Sequence, residues 1–87
     1  PAINIKVTKK QLGKHHIIAG AFREEQNADK KVDQLKQKGY NAFYLGVNKY
    51  GLHQVAYDSF DDPKEAITFL RKVKSEDSRD AWLLSEK

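Results

Sequence analysis

The chain contains no cysteine, which excludes thiol catalysis, disulfides and cysteine-ligated zinc. The same absence suits cytoplasm and periplasm equally. No run approaches the ~18 apolar residues that would span a bilayer. No charged stretch followed by an apolar one reads as a secretory leader, so a membrane anchor is expected only in a parent protein, outside these residues. Neither a glycine-rich phosphate loop nor a nucleophile elbow is found. The adjacent acids Asp61–Asp62 and Glu24–Glu25 each stand where a helix is expected to begin, and there capping and the helix dipole account for them. No catalysis and no cofactor are expected.

What is there fits one small domain. Eighty-seven residues allow no more. Hydrophobic residues make up 39% and charged residues 32%, a balance of folded chains and not of disordered ones. The net charge of +4 and pI near 9.3 first suggest nucleic acid or an anionic surface. The placement of the charge argues otherwise. Lys6, Lys9, Lys10 and Lys14 lie in the first fourteen residues, which hold no acid, whereas residues 15–87 carry twelve bases and twelve acids. The expected division is therefore a basic arm or linker at 1–14 and a neutral domain at 15–87. Within the arm, Ile3, Ile5 and Val7 alternate with polar residues, consistent with either a short extra strand or a disordered segment.

The domain repeats itself at an offset of 38 residues. His15 to Phe22 falls on His53 to Phe60, Ala28 on Ala66, Val32 on Leu70 and Leu35 on Val73. Each half is a short apolar run, a Phe, then apolar residues at i, i+4 and i+7. This is the pattern of a strand followed by an amphipathic helix. The first helix is expected from about Glu24 to Lys38, stopped by Gly39. The second starts at Asp62-Pro63-Lys64-Glu65, an Asp N-cap with Pro at the first helical position and Glu placed to close a capping box, and runs to about Lys74. Strands are expected at 41–45 and 81–84, with a hairpin loop at 46–51. The order strand, helix, strand, strand, helix, strand predicts an α+β, ferredoxin-like βαββαβ fold: a four-stranded antiparallel sheet with both helices on one face. Phe22, Phe60 and Tyr57 are expected in the core.

The other face is then free. Alternation along a strand puts Ile17, Ala19, Val55 and Tyr57 toward the helices. It leaves His16, Ile18, Leu52, Gln54 and Ala56 on the free face. The side taken by Trp82 stays open.

The segments His16-Ile17-Ile18-Ala19-Gly20-Ala21-Phe22, Asn27-Ala28, Leu35 and Lys38-Gly39-Tyr40, with Gln54 to Phe60 and Glu65-Ala66 in the second half, resemble a SPOR domain over roughly residues 14–85. That resemblance implies a non-catalytic module that binds peptidoglycan glycan strands, especially strands stripped of stem peptides, on the open sheet face. It further implies a place in the periplasm or cell envelope as part of an anchored or exported protein, often at the division septum, with cell-division proteins as further candidate partners. The implied site is His16, Ile18, Ala21, Leu52 and Gln54, with Trp82 as a flank and Tyr44 as a further candidate ring. Rings stack on the C–H faces of sugars, while His and Gln hydrogen-bond hydroxyl and N-acetyl groups. Many members of the family carry Gln at Ile18, Ser at Ala21, an aromatic at Leu52, Arg at Gln54 and Gly at Asp58, so part of the polar signature is replaced here.

The fold also hosts RNA-recognition motifs, but the two third-strand positions whose rings would stack on bases hold Leu52 and Gln54, so no nucleic-acid partner is expected. His15 and His16 are strand neighbours and cannot share one metal ion. His15 and His53 are repeat equivalents that could lie close, but no third ligand is evident, and no metal is expected. The alternative function is protein docking on an apolar patch of Ile18, Leu52 and Ala56.

Overall fold

A computed structural model describes residues 13–86. Residues 1–12, most of the expected 1–14 arm and with them the alternating Ile3, Ile5 and Val7, lie outside the described residues. The elements are β1 (His15–Phe22), α1 (Glu25–Gln37), β2 (Phe43–Val47), β3 (His53–Phe60), α2 (Pro63–Glu76) and β4 (Trp82–Ser85). The strands form one sheet in the order β2-β3-β1-β4, each neighbour pair antiparallel. This is the expected βαββαβ α+β fold.

Both helices pack on one face because their apolar residues recur at helical spacing. Ala28, Val32 and Leu35 of α1 and Ala66 and Val73 of α2 are buried. They meet Ile17, Val55 and Tyr57 of the central strands, with Ala19, Phe22, Phe60, Phe69, Leu70 and Leu83 packed partly around them. Tyr57 is thus core, as expected, while Phe22 and Phe60 are only half-buried at its margin.

The ends of the elements differ from expectation for local reasons. Asp62 caps α2 by accepting a hydrogen bond from the Lys64 N–H at 3.0 Å, with Pro63 opening the helix. α2 continues to Glu76, past the expected Lys74, because the N–H groups of Asp77 and Ser78 both close on the Val73 carbonyl. α1 stops at Gln37. Gly39 follows with φ of 98°, a conformation costly for residues with a Cβ, and the Tyr40 N–H turns back to the Leu35 carbonyl. That turn takes in Asn41 and the buried Ala42, so β2 begins at Phe43 and not at 41. The hairpin turn is correspondingly shorter than 46–51. Gly46 belongs to β2, and Asn48 closes the turn by accepting the N–H groups of Tyr50 and Leu52 on its side-chain oxygen.

Three β-bulges break the alternation: one leaves Leu45 unpaired on β2, between Tyr44↔Val55 and Gly46↔Gln54, and the two on the β1–β3 ladder obey the repeat. Ala19 is the unpaired residue on β1, between Ile18↔Ala56 and Gly20↔Val55. Tyr57 is the unpaired residue on β3, between Ile17↔Asp58 and Ile18↔Ala56. The two positions coincide in the internal alignment. Each bulge shifts the rest of its strand by one side-chain position.

Candidate functional site: the helix-free sheet face

Directly paired residues on antiparallel strands share a face, so the register identifies what stands opposite the helices. Ile18 pairs with Ala56 and Trp82, and Ala56 with Phe43. One row therefore crosses the whole sheet: Phe43, Ala56, Ile18, Trp82. On one side of it His16 pairs with Ser59 and Leu84. On the other, Ala21 pairs with Gln54.

The structure thus brings His16, Ile18, Ala21, Gln54 and Trp82 onto one face. Ala21 arrives there through the bulge at Ala19; strict alternation would have sent it toward the helices with Ile17. Trp82 takes the same side, and the residue is 41% exposed. Leu52 lies in the turn before β3 and is half-buried. Tyr44, by contrast, is removed from the site. It pairs with Val55, packs against the core, and its hydroxyl lies 2.7 Å from His53 Nδ1.

The expectation of an open face is corrected at its centre. His16, Ile18 and Ala56 have 0% exposure. His16 is also fully engaged. Its Nδ1 lies 2.6 Å from Ser59 Oγ and its Nε2 2.7 Å from Glu86 Oε2. The Glu86 N–H donates to the Lys14 carbonyl at 2.7 Å, which carries the β1–β4 ladder beyond Ser85.

Sequence reasoning missed Ser59, Glu86, Phe43 and Leu84. Ser59 had a signal. It is the repeat equivalent of Ala21, a chosen site position, and its own bulge brings it to the same face. Glu86 had none, since its place follows from the β4 register alone.

The strand positions on this face are His16, Ile18, Ala21, Phe43, Gly46, Gln54, Ala56, Ser59, Trp82 and Leu84; none is Lys or Arg. The face carries aromatics toward its edges, a few neutral hydrogen-bonding groups, and the Glu86 carboxylate against His16. No group of three His, Asp or Glu side chains placed to hold a metal exists among the described residues. His15 and His53 do not come together. His15 pairs with Phe60 at one end of the β1–β3 ladder and His53 with Phe22 at the other, because antiparallel pairing sends repeat equivalents to opposite ends.

The strongest polar cluster lies beneath the opposite face. The Tyr57 hydroxyl donates to Asp77 Oδ2 and the Lys38 ammonium to Asp77 Oδ1, both at 2.5 Å. The Lys38 and Tyr57 hydrogen bonds hold the Asp77 carboxyl below the usual carboxylate range against the opposing effect of burial. Burial first, then the bond to Asp77, pushes the Tyr57 phenol well above its usual value. The edge of the Tyr40 ring meets Tyr57 at 4.9 Å between centroids. This cluster ties the end of α2 to the end of α1 and holds β3 from behind. A groove of about 400 Å³ between Phe60, Lys64, Thr68, Phe69 and Lys72 also lies on the helix side.

A family model described as SPOR domain matches residues 11–85, nearly the whole chain. No curated protein and no solved structure matches it.

Proposed function

The chain belongs to the SPOR domain family, and from that premise we propose that its helix-free sheet face binds peptidoglycan glycan strands denuded of stem peptides. SPOR domains are peptidoglycan-binding modules and not catalysts, and they occur in envelope-associated proteins. In the proposal, the domain localises a parent protein in the periplasm or cell envelope, at the division septum, alongside cell-division proteins.

The observation that carries the reading is the chemistry of the face. It bears a half-exposed indole at Trp82, a second ring at Phe43, the amide of Gln54 and the hydroxyl of Ser59, without a single Lys or Arg on its strand positions. A neutral sugar chain needs rings for its C–H faces and neutral groups for its hydroxyl and N-acetyl groups. A polyphosphate needs cations, which this face lacks. Trp82 and Gln54 make first contact, with Ala21 and Leu52 bordering the path. His16 and Ile18, fully buried, act as the floor beneath the ligand.

The test is co-sedimentation of the full chain with purified sacculi, untreated and amidase-stripped. Pelleting that rises after stripping supports denuded glycan as the ligand. No pelleting with either sample contradicts it. The apolar row Phe43–Ala56–Ile18–Trp82 favours one second reading, a protein docked on the same face; that reading gains if sacculi fail.

A further inference from the structure

We infer that the cleft between α2 and the turn after α1 is a second binding site, one for an organic ammonium carried next to an apolar group. Two cavities meet there. The apolar groove of about 400 Å³ over Phe60 and Phe69 runs into a polar one of about 240 Å³. Phe69 and Lys72 line both. A concave site of this size, apolar with a few polar groups gathered at one end, is how proteins hold small organic ligands.

The apolar end rests on two rings. Phe60 closes β3 and Phe69 stands on α2, with 5.3 Å between their centroids. Both are half-buried, so each keeps a surface to offer.

The polar end suits a cation. Tyr40, placed by the turn at Gly39, and Phe69 meet at 6.3 Å with their planes 88° apart. Two rings at a right angle make a corner, and the negative face of a ring attracts an ammonium. Asp58 and Glu76 line the same cavity. Asp58 is on the helix side because it pairs with Ile17. Its Oδ1 accepts the Ser59 N–H at 2.8 Å, which fixes the carboxylate. The lysines of the lining leave this charge uncancelled. Lys38 is held by Asp77, and Lys72 shares a helix face with Glu76, four residues on. Asp58 is the charge left over, on a strand with no Lys or Arg of its own. Burial, then the carboxylates of Asp77 and Glu76, push the Tyr40 phenol above its usual value, in keeping with a negative corner.

The order of the two ends sets the ligand. Its ammonium sits between Asp58 and the ring corner, and its apolar group extends over Phe69 to Phe60. The site lies on the side of the sheet away from the glycan face and does not rest on the glycan reading.

The test is an amide nuclear magnetic resonance titration of the full chain with two probes. Phenethylamine is charged at neutral pH; phenethyl alcohol has the same ring and reach without the charge. The amine is expected to shift the amides of Tyr40, Asp58 and Phe69 and to saturate in roughly the millimolar range. The alcohol binds at least fivefold more weakly. In the Asp58→Asn chain, affinity for the amine falls at least threefold and that for the alcohol is unchanged. An alcohol that binds as tightly as the amine overturns the inference, as does amine binding that Asp58→Asn leaves intact. Amine shifts that fall elsewhere, or that never saturate, overturn it too. Should the variant fail to fold, the comparison of the two probes on the native chain decides.

Discussion

Asp77 answers to two partners, and their removal is readable as stability. Replacing it by Asn weakens the bond to Lys38 and takes the charge from the bond to the buried Tyr57 hydroxyl. The expected loss is about 1–3 kcal/mol at neutral pH, read from chemical denaturation. The pH dependence has a definite sign. The Asp77 carboxyl ionises at lower pH in the folded chain than in the unfolded chain, where the value is near 3.9. Its stabilisation is therefore present above about pH 4 and lost as pH falls through the folded value. The native melting temperature drops on acidification over that range, and that of the Asp77→Asn chain drops less. Tyr57 works in the opposite direction. Its phenol is raised, so the stability it contributes is complete below about pH 10 and declines as pH rises beyond it. At the face, Trp82→Ala is expected to weaken sacculus binding roughly tenfold, about 1.4 kcal/mol, with the melting temperature nearly unchanged because the residue is 41% exposed. Gln54→Ala acts in the same direction. Normal pelleting by both variants would contradict their place in the site. Among these residues, Trp82 and Gln54 could be picked from the sequence; the Glu86–His16 bond could not, since it joins residues 70 apart through a strand register that no local pattern encodes.

The elements were legible where their signals are local. Apolar spacing at i, i+4 and i+7 marks both helices, and Asp62-Pro63 marks where α2 begins. Glu24 opens α1 without any side-chain capping bond. Asp62→Ala is therefore expected to cost about 0.5–2 kcal/mol, and Glu24→Ala no more than ~0.5 kcal/mol, a contrast that thermal melts of the two variants decide. The bulges were not legible, because alternation assumes an unbroken pleat and nothing in Ala19 or Tyr57 alone announces an extra residue. They matter all the same: past Ala19 and Tyr57 they return Ala21 and Ser59 to the helix-free face. A bulge pair related by the same offset as the sequence repeat shows that the repeat carries backbone shape as well as hydrophobic pattern. The shift of β2 from 41–45 to Phe43–Val47 has a similar cause, since the three residues after Gly39 go into the turn that buries Ala42.

At the scale of the whole molecule, the charge surplus of the sequence does not belong to the face. Residues 15–87 are balanced and the face carries no Lys or Arg on its strands. Binding to sacculi is accordingly expected to change little between 50 and 300 mM salt, whereas a contact with several phosphates would weaken by orders of magnitude over a similar range; a steep salt dependence would turn the account toward an anionic polymer. The fold class was legible because two copies of one strand–helix unit admit few ways to share a sheet. The closed centre of the helix-free face was not, because alternation along a strand says which side His16, Ile18 and Ala56 take and not how deeply they are buried. The most direct test of the central claim is a nuclear magnetic resonance titration of the full chain with soluble denuded glycan fragments. The account predicts that the largest shifts fall on the Trp82 indole N–H, the Gln54 side-chain amide and the backbone of Ala21 and Ala56. Shifts confined to the α2 groove around Phe60 and Phe69, or none at saturating glycan, would contradict it.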